Sequence, residues 1–203
     1  DMFKLKINNR KLIQELFTKL QIDTDKHEKI FKIIDKKLKI SDQEFKALLQ
    51  NQIQLSKDLT DTICHYLDNP NDIFNYLGDM SNNVREVKNL LNIIKNNGYS
   101  DYVEFDPTIV RGLDYYTSFV FELFDLNPNN NRALCGGGKY QDLLKIFINQ
   151  SETAVGFGMG DVTILNFLTE WKLLPKLKTE TEYLVTVWPS ESDQKFFNVS
   201  NQT

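Results

Sequence analysis

The 203-residue chain is predicted to fold as an α+β protein, because strand and helix patterns occupy separate parts of it. A short strand pattern opens the chain, and a long stretch with helical periodicity follows over residues 10–97. Strand patterns return over residues 101–160. Hydrophobic residues make up 41% of the chain and aromatic residues 12%, which is enough apolar material for a packed core.

The first strand and the helical block are separated by a change of period. Apolar residues alternate with lysines within residues 1–9 and predict a strand. From Lys11 onward the apolar residues recur at helical spacing instead. Ser41 followed three residues later by Glu44 is a capping box that begins one helix. The last helix ends before Gly98, which is predicted to adopt a left-handed C-cap.

The second half is predicted to hold mainly strands, since alternating β-branched and aromatic residues return there. Strands are predicted at residues 102–105, 108–125, 132–137 and 153–157, and a helix at residues 161–171. A linker at residues 174–179 and a new strand at residues 183–187 follow. No internal repeat is visible at a period of 20–50 residues.

Composition argues against several classes of protein. No run approaches the roughly 18 apolar residues of a membrane span, and no signal-peptide pattern opens the chain. Cys64 and Cys135 lie too far apart in sequence to indicate a disulfide framework or a metal site. His27 and His65 have no partner at ligand spacing and are predicted to lie on the surface. We therefore expect a cytoplasmic protein without a structural metal and without a membrane partner.

Charge is distributed unevenly along the chain. The net charge is −4, yet residues 1–46 hold 12 basic and 8 acidic residues, and residues 100–203 hold 8 basic and 14 acidic. A basic helical part can mark a surface that faces nucleic acid. It can equally be an ordinary solvated helix face, and the charge pattern leaves both interpretations open.

Arg111 and the tyrosines that follow it form the strongest candidate site. Arg111 precedes the flexible Gly112 and the pair Tyr115 and Tyr116. A guanidinium can bond two oxygens of a carboxylate or phosphate at once. Strand alternation predicts that the two tyrosines point to opposite faces. The competing interpretation is an exposed arginine at a strand start, with aromatic core residues behind it.

Two glycine clusters could let a ligand approach the backbone closely. Residues 136–138 are all glycine, and Tyr140 lies just beyond them. Gly156, Gly158 and Gly160 alternate, so that their bare faces are expected to align on one side of a strand. A bulge or strand crossing would also explain the first cluster, and a closely packed helix the second.

Four segments in this chain order resemble one known family. Residues 5–12 read Leu-Lys-Ile-Asn-Asn-Arg-Lys-Leu and residues 110–117 read Val-Arg-Gly-Leu-Asp-Tyr-Tyr-Thr. Residues 135–143 read Cys-Gly-Gly-Gly-Lys-Tyr-Gln-Asp-Leu and residues 154–160 read Ala-Val-Gly-Phe-Gly-Met-Gly. They resemble the segment before the helical insertion, the two histidine-specific elements and motif 3 of the histidyl-tRNA synthetases, a family of class II aminoacyl-tRNA synthetases.

The resemblance implies part of a class II antiparallel sheet with an all-helical insertion and the start of an α/β anticodon-binding domain. In these terms residues 1–9 are a strand of the catalytic domain, and residues 10–97 are the insertion. Residues 98–174 are the catalytic core, and residues 175–203 the linker and the start of the anticodon-binding domain. Motifs 1 and 2 of the family have no counterpart here. The chain thus resembles an internal piece and is expected to be inactive alone.

The implied activity is the ATP-dependent ligation of L-histidine to tRNA(His) through a histidyl-adenylate, with Mg²⁺ bound to the ATP, by a homodimer. Arg111 falls where an arginine bridges the histidine carboxylate and the ATP α-phosphate, and is the implied catalytic residue. Histidine would also contact Tyr115, Tyr116, Tyr140, Gly136 and Gly137. ATP would also contact Gly156, Gly158 and Gly160. The acceptor arm of tRNA would contact Lys36, Lys37 and Lys39.

Three departures from the family pattern support a rival hypothesis. Ser118 replaces a usual glycine, Gln141 replaces a usual aspartate, and residues 161–163 read Asp-Val-Thr where class II enzymes commonly have Glu-Arg. The rival is a non-catalytic relative, such as the synthetase-like regulator of histidine biosynthesis or the synthetase-like domain of a stress-sensing kinase. Retention of Arg111 and the tyrosines favours the enzyme.

Overall fold

The computed structural model describes residues 2–112, 115–128, 130, 132–141, 145, 152–176 and 183. The chain divides into two compact units, Asp1–Lys172 and Leu173–Thr203, and the fold described below is that of the first. The strand predicted at residues 183–187 lies outside the described residues except for Tyr183.

Strands flank a block of six helices, as the sequence predicts. In chain order the elements are β1 (Phe3–Asn9), α1 (Arg10–Lys19), α2 (Thr24–Ile34), α3 (Asp42–Ile53), α4 (Lys57–Asp68), α5 (Pro70–Leu77), α6 (Asn82–Asn96), β2 (Val103–Phe105), β3 (Phe119–Asp125), β4 (Ala133–Tyr140), β5 (Ala154–Met159) and α7 (Asp161–Glu170). The α+β class is confirmed.

The five described strands form one sheet in the order β2-β1-β3-β4-β5. Three of its four pairings are antiparallel, as predicted. They join β1 to β3, β3 to β4 and β4 to β5. The exception is β2, which runs parallel to β1. A parallel pair needs a long crossover connection, and here the whole helical block supplies it.

Three of the six helices in this block begin at serine caps, and the helices bury their apolar faces. The hydroxyls of Ser41, Ser56 and Ser81 each accept a hydrogen bond from the backbone N–H three residues later, at 3.2 Å. The predicted cap at Ser41 is therefore confirmed, and so is the left-handed conformation of Gly98, with φ of 79°. The largest fully buried side chains include Phe17, Phe31 and Phe45, which belong to one continuous core of the helical block.

The surface position predicted for His27 is wrong. His27 is buried, with its Nε2 3.1 Å from the carbonyl oxygen of Ile22 and its ring packed edge-on against Phe17. Its place on α2 precedes Ile30 and Phe31 by three and four residues, so it shares their buried face. His65 is exposed, as predicted. Among the described helices, none is both long and apolar enough to cross a membrane.

The strand predicted at residues 108–125 is wrong in its first half, because β3 begins only at Phe119. Residues 107–112, termed the Arg111 loop, direct their carbonyl groups toward side chains instead of a neighbouring strand. The side chains are those of Asn8 and Arg10, at the junction of β1 and α1. They donate hydrogen bonds to the carbonyls of Pro107, Ile109, Val110 and Arg111.

Candidate functional site

One face of the sheet collects four of the five glycines in the described strands, and a carboxylate. Strand register places Val120 opposite Gly138 and Glu122 opposite Gly136 across β3 and β4, and the same glycines opposite Gly156 and Gly158 of β5. Side chains at paired positions point to the same side of a sheet. This side, termed the glycine face, comprises Val120, Glu122, Gly136, Gly138, Gly156 and Gly158.

Arg111 extends over the glycine face from a strained backbone. Its φ of 54° lies in the left-handed region, which costs a residue with a Cβ roughly 1–2 kcal/mol. Its Nη1 forms a short ion pair with Oε1 of Glu122. A Cβ atom at Gly136 would lie 2.6 Å from Nη1 and 2.9 Å from Cζ of Arg111. The absence of a side chain at residue 136 is therefore what allows the guanidinium to lie there.

The guanidinium of Arg111 is held in place, yet it keeps hydrogen-bonding capacity for a ligand. Burial by itself lowers its pKa, but the hydrogen bond and the charge of Glu122 outweigh this, so the pKa of Arg111 is raised. The group is therefore a permanent cation. Its Nε is buried and finds no hydrogen-bond partner among the described residues. An unsatisfied buried donor is costly, and an oxygen-bearing anion would satisfy it.

Three tyrosines line the side of the site nearest the start of β3. The rings of Tyr115 and Tyr116 lie 4.6 Å apart, and Tyr115 meets Tyr140 edge-on at 5.9 Å. The prediction that Tyr115 and Tyr116 point to opposite faces is wrong, because both precede β3 and strand alternation does not apply to them. Tyr116 is the buried member, and Tyr115 is exposed.

Tyr116 and Tyr140 lie against the glycine face. A Cβ atom at Gly138 would lie 2.6 Å from Cδ1 of Tyr116, and one at Gly156 would lie 3.1 Å from the hydroxyl of Tyr140. Burial, followed by a hydrogen bond with Tyr115, raises the pKa of Tyr116, although Arg111 acts in the opposite direction. The phenol therefore stays protonated at neutral pH and can act as a hydrogen-bond donor.

Two of the predicted site glycines lie elsewhere. Gly137 points away from the glycine face, since a Cβ there would meet the carbonyl oxygen of Gly156 and the Cβ of Phe157. Gly160 does not continue the alternation of β5. It is instead the N-cap of α7, and a Cβ there would lie 2.6 Å from Oγ1 of Thr163. A Cβ atom at Gly158 would meet no atom of the described residues within 4 Å, which leaves open space on the glycine face.

The three predicted tRNA-contacting lysines do not form one patch. The ammonium of Lys37 lies 3.0 Å from Asp68 and 3.7 Å from Asp42, and its side chain is only 12% exposed. Lys39 is 70% exposed and lies 3.5 Å from Asp35 one helical turn away. Lys36 is exposed. The charge of Lys37 is balanced locally, whereas Lys36 and Lys39 face solvent.

Two cavities are each bordered by some of the predicted site residues. The larger, of about 890 Å³, lies between the sheet and the end of α2 and is bordered by Arg111, Glu122, Lys6 and Lys39. The smaller, of about 340 Å³, is bordered by Tyr116 together with Arg10 and Glu28. The larger volume falls within the range of small-ligand sites. The Arg111 loop contributes to the larger cavity, whereas Tyr116 borders the smaller one.

Glu122, Asn8 and Arg10 were not among the predicted site residues. The sequence carried a signal for Glu122, since it follows Val120 by two residues on the same predicted strand face. The signal for Asn8 and Arg10 was a polar run between an apolar strand and an apolar helix face. Among the described residues, no group of three or more His, Cys, Asp or Glu side chains could hold a metal ion.

Comparison with known proteins agrees with the fold and the motifs. A model of the histidyl-tRNA synthetase family matches residues 1–162. A histidine–tRNA ligase from Leptospira biflexa is 37% identical over 202 residues, which cover 98% of this chain and 46% of the relative. The chain thus spans about half the length of the curated relatives it matches.

Solved structures show the same fold. The histidyl-tRNA synthetase from Nostoc matches with a TM-score of 0.76 at 24% identity, over 99% of this chain and 50% of that one. A Bacillus halodurans protein described as an ATP phosphoribosyltransferase regulatory subunit/histidyl-tRNA synthetase matches with a TM-score of 0.65 at 21% identity, over 82% and 45%. The family model covers most of the chain, and the chain belongs to the histidyl-tRNA synthetase family.

Proposed function

We propose that this chain is part of a longer protein that joins L-histidine to tRNA(His) at the expense of ATP. The observation that carries the proposal is the guanidinium of Arg111, fixed by Glu122 over a sheet face that glycines keep bare. Membership of the histidyl-tRNA synthetase family supports the same activity.

The first step would form histidyl-adenylate. An oxygen of the histidine carboxylate attacks the α-phosphorus of ATP, a new P–O bond forms, and the bond to pyrophosphate breaks. Positioning and a fixed cation are the main help that a protein gives to such a transfer. Arg111 would contact the carboxylate and the α-phosphate together. Its ion pair with Glu122 holds the guanidinium in place, so that little rearrangement accompanies the reaction.

The glycines and tyrosines would hold the two substrates. Gly158 would leave room for the flat adenine ring of ATP against the backbone, and Gly156 would contribute by letting the hydroxyl of Tyr140 lie close to β5 beside it. Gly160 would contribute through the turn into α7, and Gly137 through the close packing of β4 on β5. Tyr116 and Tyr140 would present hydroxyls to the imidazole and amino groups of histidine, with Tyr115 packed against both rings.

The compartment, the oligomeric state and the transfer of histidine to tRNA are part of the same proposal. The protein would act in the cytoplasm as a homodimer and would transfer histidine from the adenylate to the 3′ end of tRNA. Mg²⁺ would accompany the phosphates of ATP.

A second candidate is a regulatory subunit without catalysis, and one observation favours it. The resemblance calls for an adenine-stacking arginine near residue 162, but this part of the chain serves to begin α7. Oδ1 of Asp161 accepts a hydrogen bond from the N–H of Val162 at 2.8 Å, and Oγ1 of Thr163 donates to the carbonyl of Gly160 at 3.0 Å. A regulator would lose nothing by this replacement.

Amino-acid-dependent exchange of pyrophosphate into ATP distinguishes the two candidates. The full-length protein is incubated with ATP, labelled pyrophosphate and each of the twenty amino acids in turn. We expect exchange with histidine at a rate well above that with any other amino acid. A protein that exchanges with none of them is not a synthetase, and exchange with a different amino acid would contradict the assignment of the tyrosines.

A further inference from the structure

The Arg111 loop is held by side chains from the other end of the chain. Nδ2 of Asn8 donates to the carbonyls of Pro107 at 3.2 Å and Ile109 at 2.9 Å. Nη1 of Arg10 donates to the carbonyls of Val110 at 3.0 Å and Arg111 at 3.1 Å. These two residues, termed the loop clamp, therefore satisfy four carbonyls that no strand pairs with.

Arg10 is itself fixed on three sides. Its Nη2 lies 2.8 Å and 3.1 Å from the two carboxylate oxygens of Glu28 on α2, and its guanidinium lies 4.6 Å above the ring of Phe31. The Arg10 side chain is only 5% exposed, whereas that of Glu28 is 49% exposed. A buried arginine whose Nη1 and Nη2 are both hydrogen-bonded has little freedom to move. It can therefore hold the loop in one conformation.

The hydrogen bond from Arg10 to the loop acts directly on the residue that carries the cation of the site. Arg10 holds the carbonyl of Arg111 itself, and Arg111 has the left-handed backbone that directs its side chain over Gly136. A residue in this region of φ and ψ persists only when its surroundings enforce it. The carbonyl contacts of Arg10 supply that enforcement at the backbone, and Glu122 supplies it at the guanidinium.

We propose that Arg10, oriented by Glu28, is a positioning residue that sets the conformation of Arg111 for adenylate formation. The inference rests on the proposed function, in which Arg111 contacts the reacting carboxylate and phosphate. Arg10 acts on Arg111 through the backbone carbonyl of that residue, although Arg10 and Glu28 also border the smaller cavity beside Tyr116. Its effect should therefore fall on the rate of the chemical step more than on the binding of either substrate.

Three variants of the full-length protein test the proposal. Glu28→Gln removes the charge that orients Arg10 at a half-exposed side chain and should not impair folding. Arg10→Lys removes the planar fork but keeps the charge. Glu86→Gln is the matched control, since Glu86 lies 3.4 Å from Nδ2 of the neighbouring Asn9 and does not touch the loop clamp.

The first readout separates kcat from KM in histidine-dependent pyrophosphate exchange. We expect kcat to fall about 3- to 10-fold in Glu28→Gln and about 30-fold or more in Arg10→Lys, a misplacement effect, with both KM values within about twofold of wild type. Glu86→Gln should keep the wild-type kcat. An unchanged kcat in Glu28→Gln, or an equal loss in Glu86→Gln, would overturn the proposal.

A double-mutant cycle tests whether Arg10 acts through Arg111. In an Arg111→Lys background, Glu28→Gln and Arg10→Lys should each change kcat by less than about twofold, because residues that act as one unit are not additive. A full multiplicative loss in that background would show that Arg10 supports the fold in general, and the proposal would fail.

Hydrogen–deuterium exchange gives a readout that needs no activity. Amides of the Arg111 loop should exchange faster in Glu28→Gln and Arg10→Lys than in wild type, while amides of α4 should not change. If wild type shows no histidine-dependent exchange of pyrophosphate, the proposed function fails. Hydrogen–deuterium exchange still tests whether the loop clamp holds the Arg111 loop. Equal protection of the loop in all variants would reject it.

Discussion

Arg111 concentrates the chemistry of the site in one side chain with a demanding geometry. Its backbone is left-handed, its carbonyl accepts a hydrogen bond from Arg10, and its guanidinium pairs with Glu122. Each contact restricts a different part of the residue. A cation restrained in this way can stabilise charge that develops during a reaction without first reorganising.

Gly136→Ala is predicted to displace Arg111. The added methyl group would lie 2.6 Å from Nη1, so the guanidinium must move off the glycine face. Overpacking of this kind costs about 1–3 kcal/mol, and we expect pyrophosphate exchange by the full-length protein to fall by about tenfold or more. Gly112→Ala is the matched control, because a Cβ there meets no other part of the described chain within 4 Å. Equal activity in both variants would contradict the steric argument.

Removal of single hydroxyls is predicted to weaken recognition of histidine. Tyr116→Phe and Tyr140→Phe should each lower kcat/KM for histidine by an amount equivalent to about 1–3 kcal/mol, because a polar group of the substrate loses its partner. The KM for ATP should change much less. Tyr102→Phe, at the far edge of the sheet against Phe3, is the control. If both site variants keep wild-type histidine kinetics, the tyrosines do not recognise the substrate.

For helices and strands, local sequence patterns predicted which face a side chain lies on, but not the long-range contacts of a segment. Alternation correctly assigned Val120 and Glu122 to one face of β3. It wrongly extended the strand back to residue 108, because the carbonyls there bond to Asn8 and Arg10, about one hundred residues earlier in the chain. Such long-range side-chain contacts leave no periodic trace in sequence, so the start of β3 and the loop clamp could not be predicted.

The segment after α2 is predicted to contact tRNA through two of its lysines. Lys36→Gln combined with Lys39→Gln should weaken tRNA binding and lower the slope of log affinity against log salt by about one to two units, since each lost phosphate contact removes close to one. The matched variant is Lys37→Gln, because the charge of Lys37 is already balanced by Asp42 and Asp68. That variant should leave the slope unchanged.

Binding titrations of full-length protein with tRNA at several salt concentrations provide the measurement. Adenylate formation should stay near the wild-type rate in both variants, because Lys36 is exposed and Lys39, although it borders the larger cavity, is 70% exposed. If the double variant binds with wild-type affinity and slope, Lys36 and Lys39 belong to an ordinary solvated surface, and the uneven charge of the sequence has no role in recognition.

At the scale of the whole molecule, sequence predicted the order of strand, helical block and strands, because each part has a distinct hydrophobic period. The parallel pairing of β2 with β1 was not predicted, since it depends on where six helices return the chain. The core of the helical block also includes Val110 of the Arg111 loop. Helices and sheet within Asp1–Lys172 therefore share apolar contacts at the point where the site is built.

A single-turnover measurement shows whether Arg111 of this chain helps to form histidyl-adenylate. Full-length wild-type protein and Arg111→Lys are each mixed with histidine and ATP, and the formation of adenylate is followed in time. Lysine keeps the charge but cannot bridge two anions with a planar fork, so we expect the rate to fall by about 100-fold or more. Adenylate formation at the wild-type rate in Arg111→Lys would show that the guanidinium of Arg111 is not needed for the reaction.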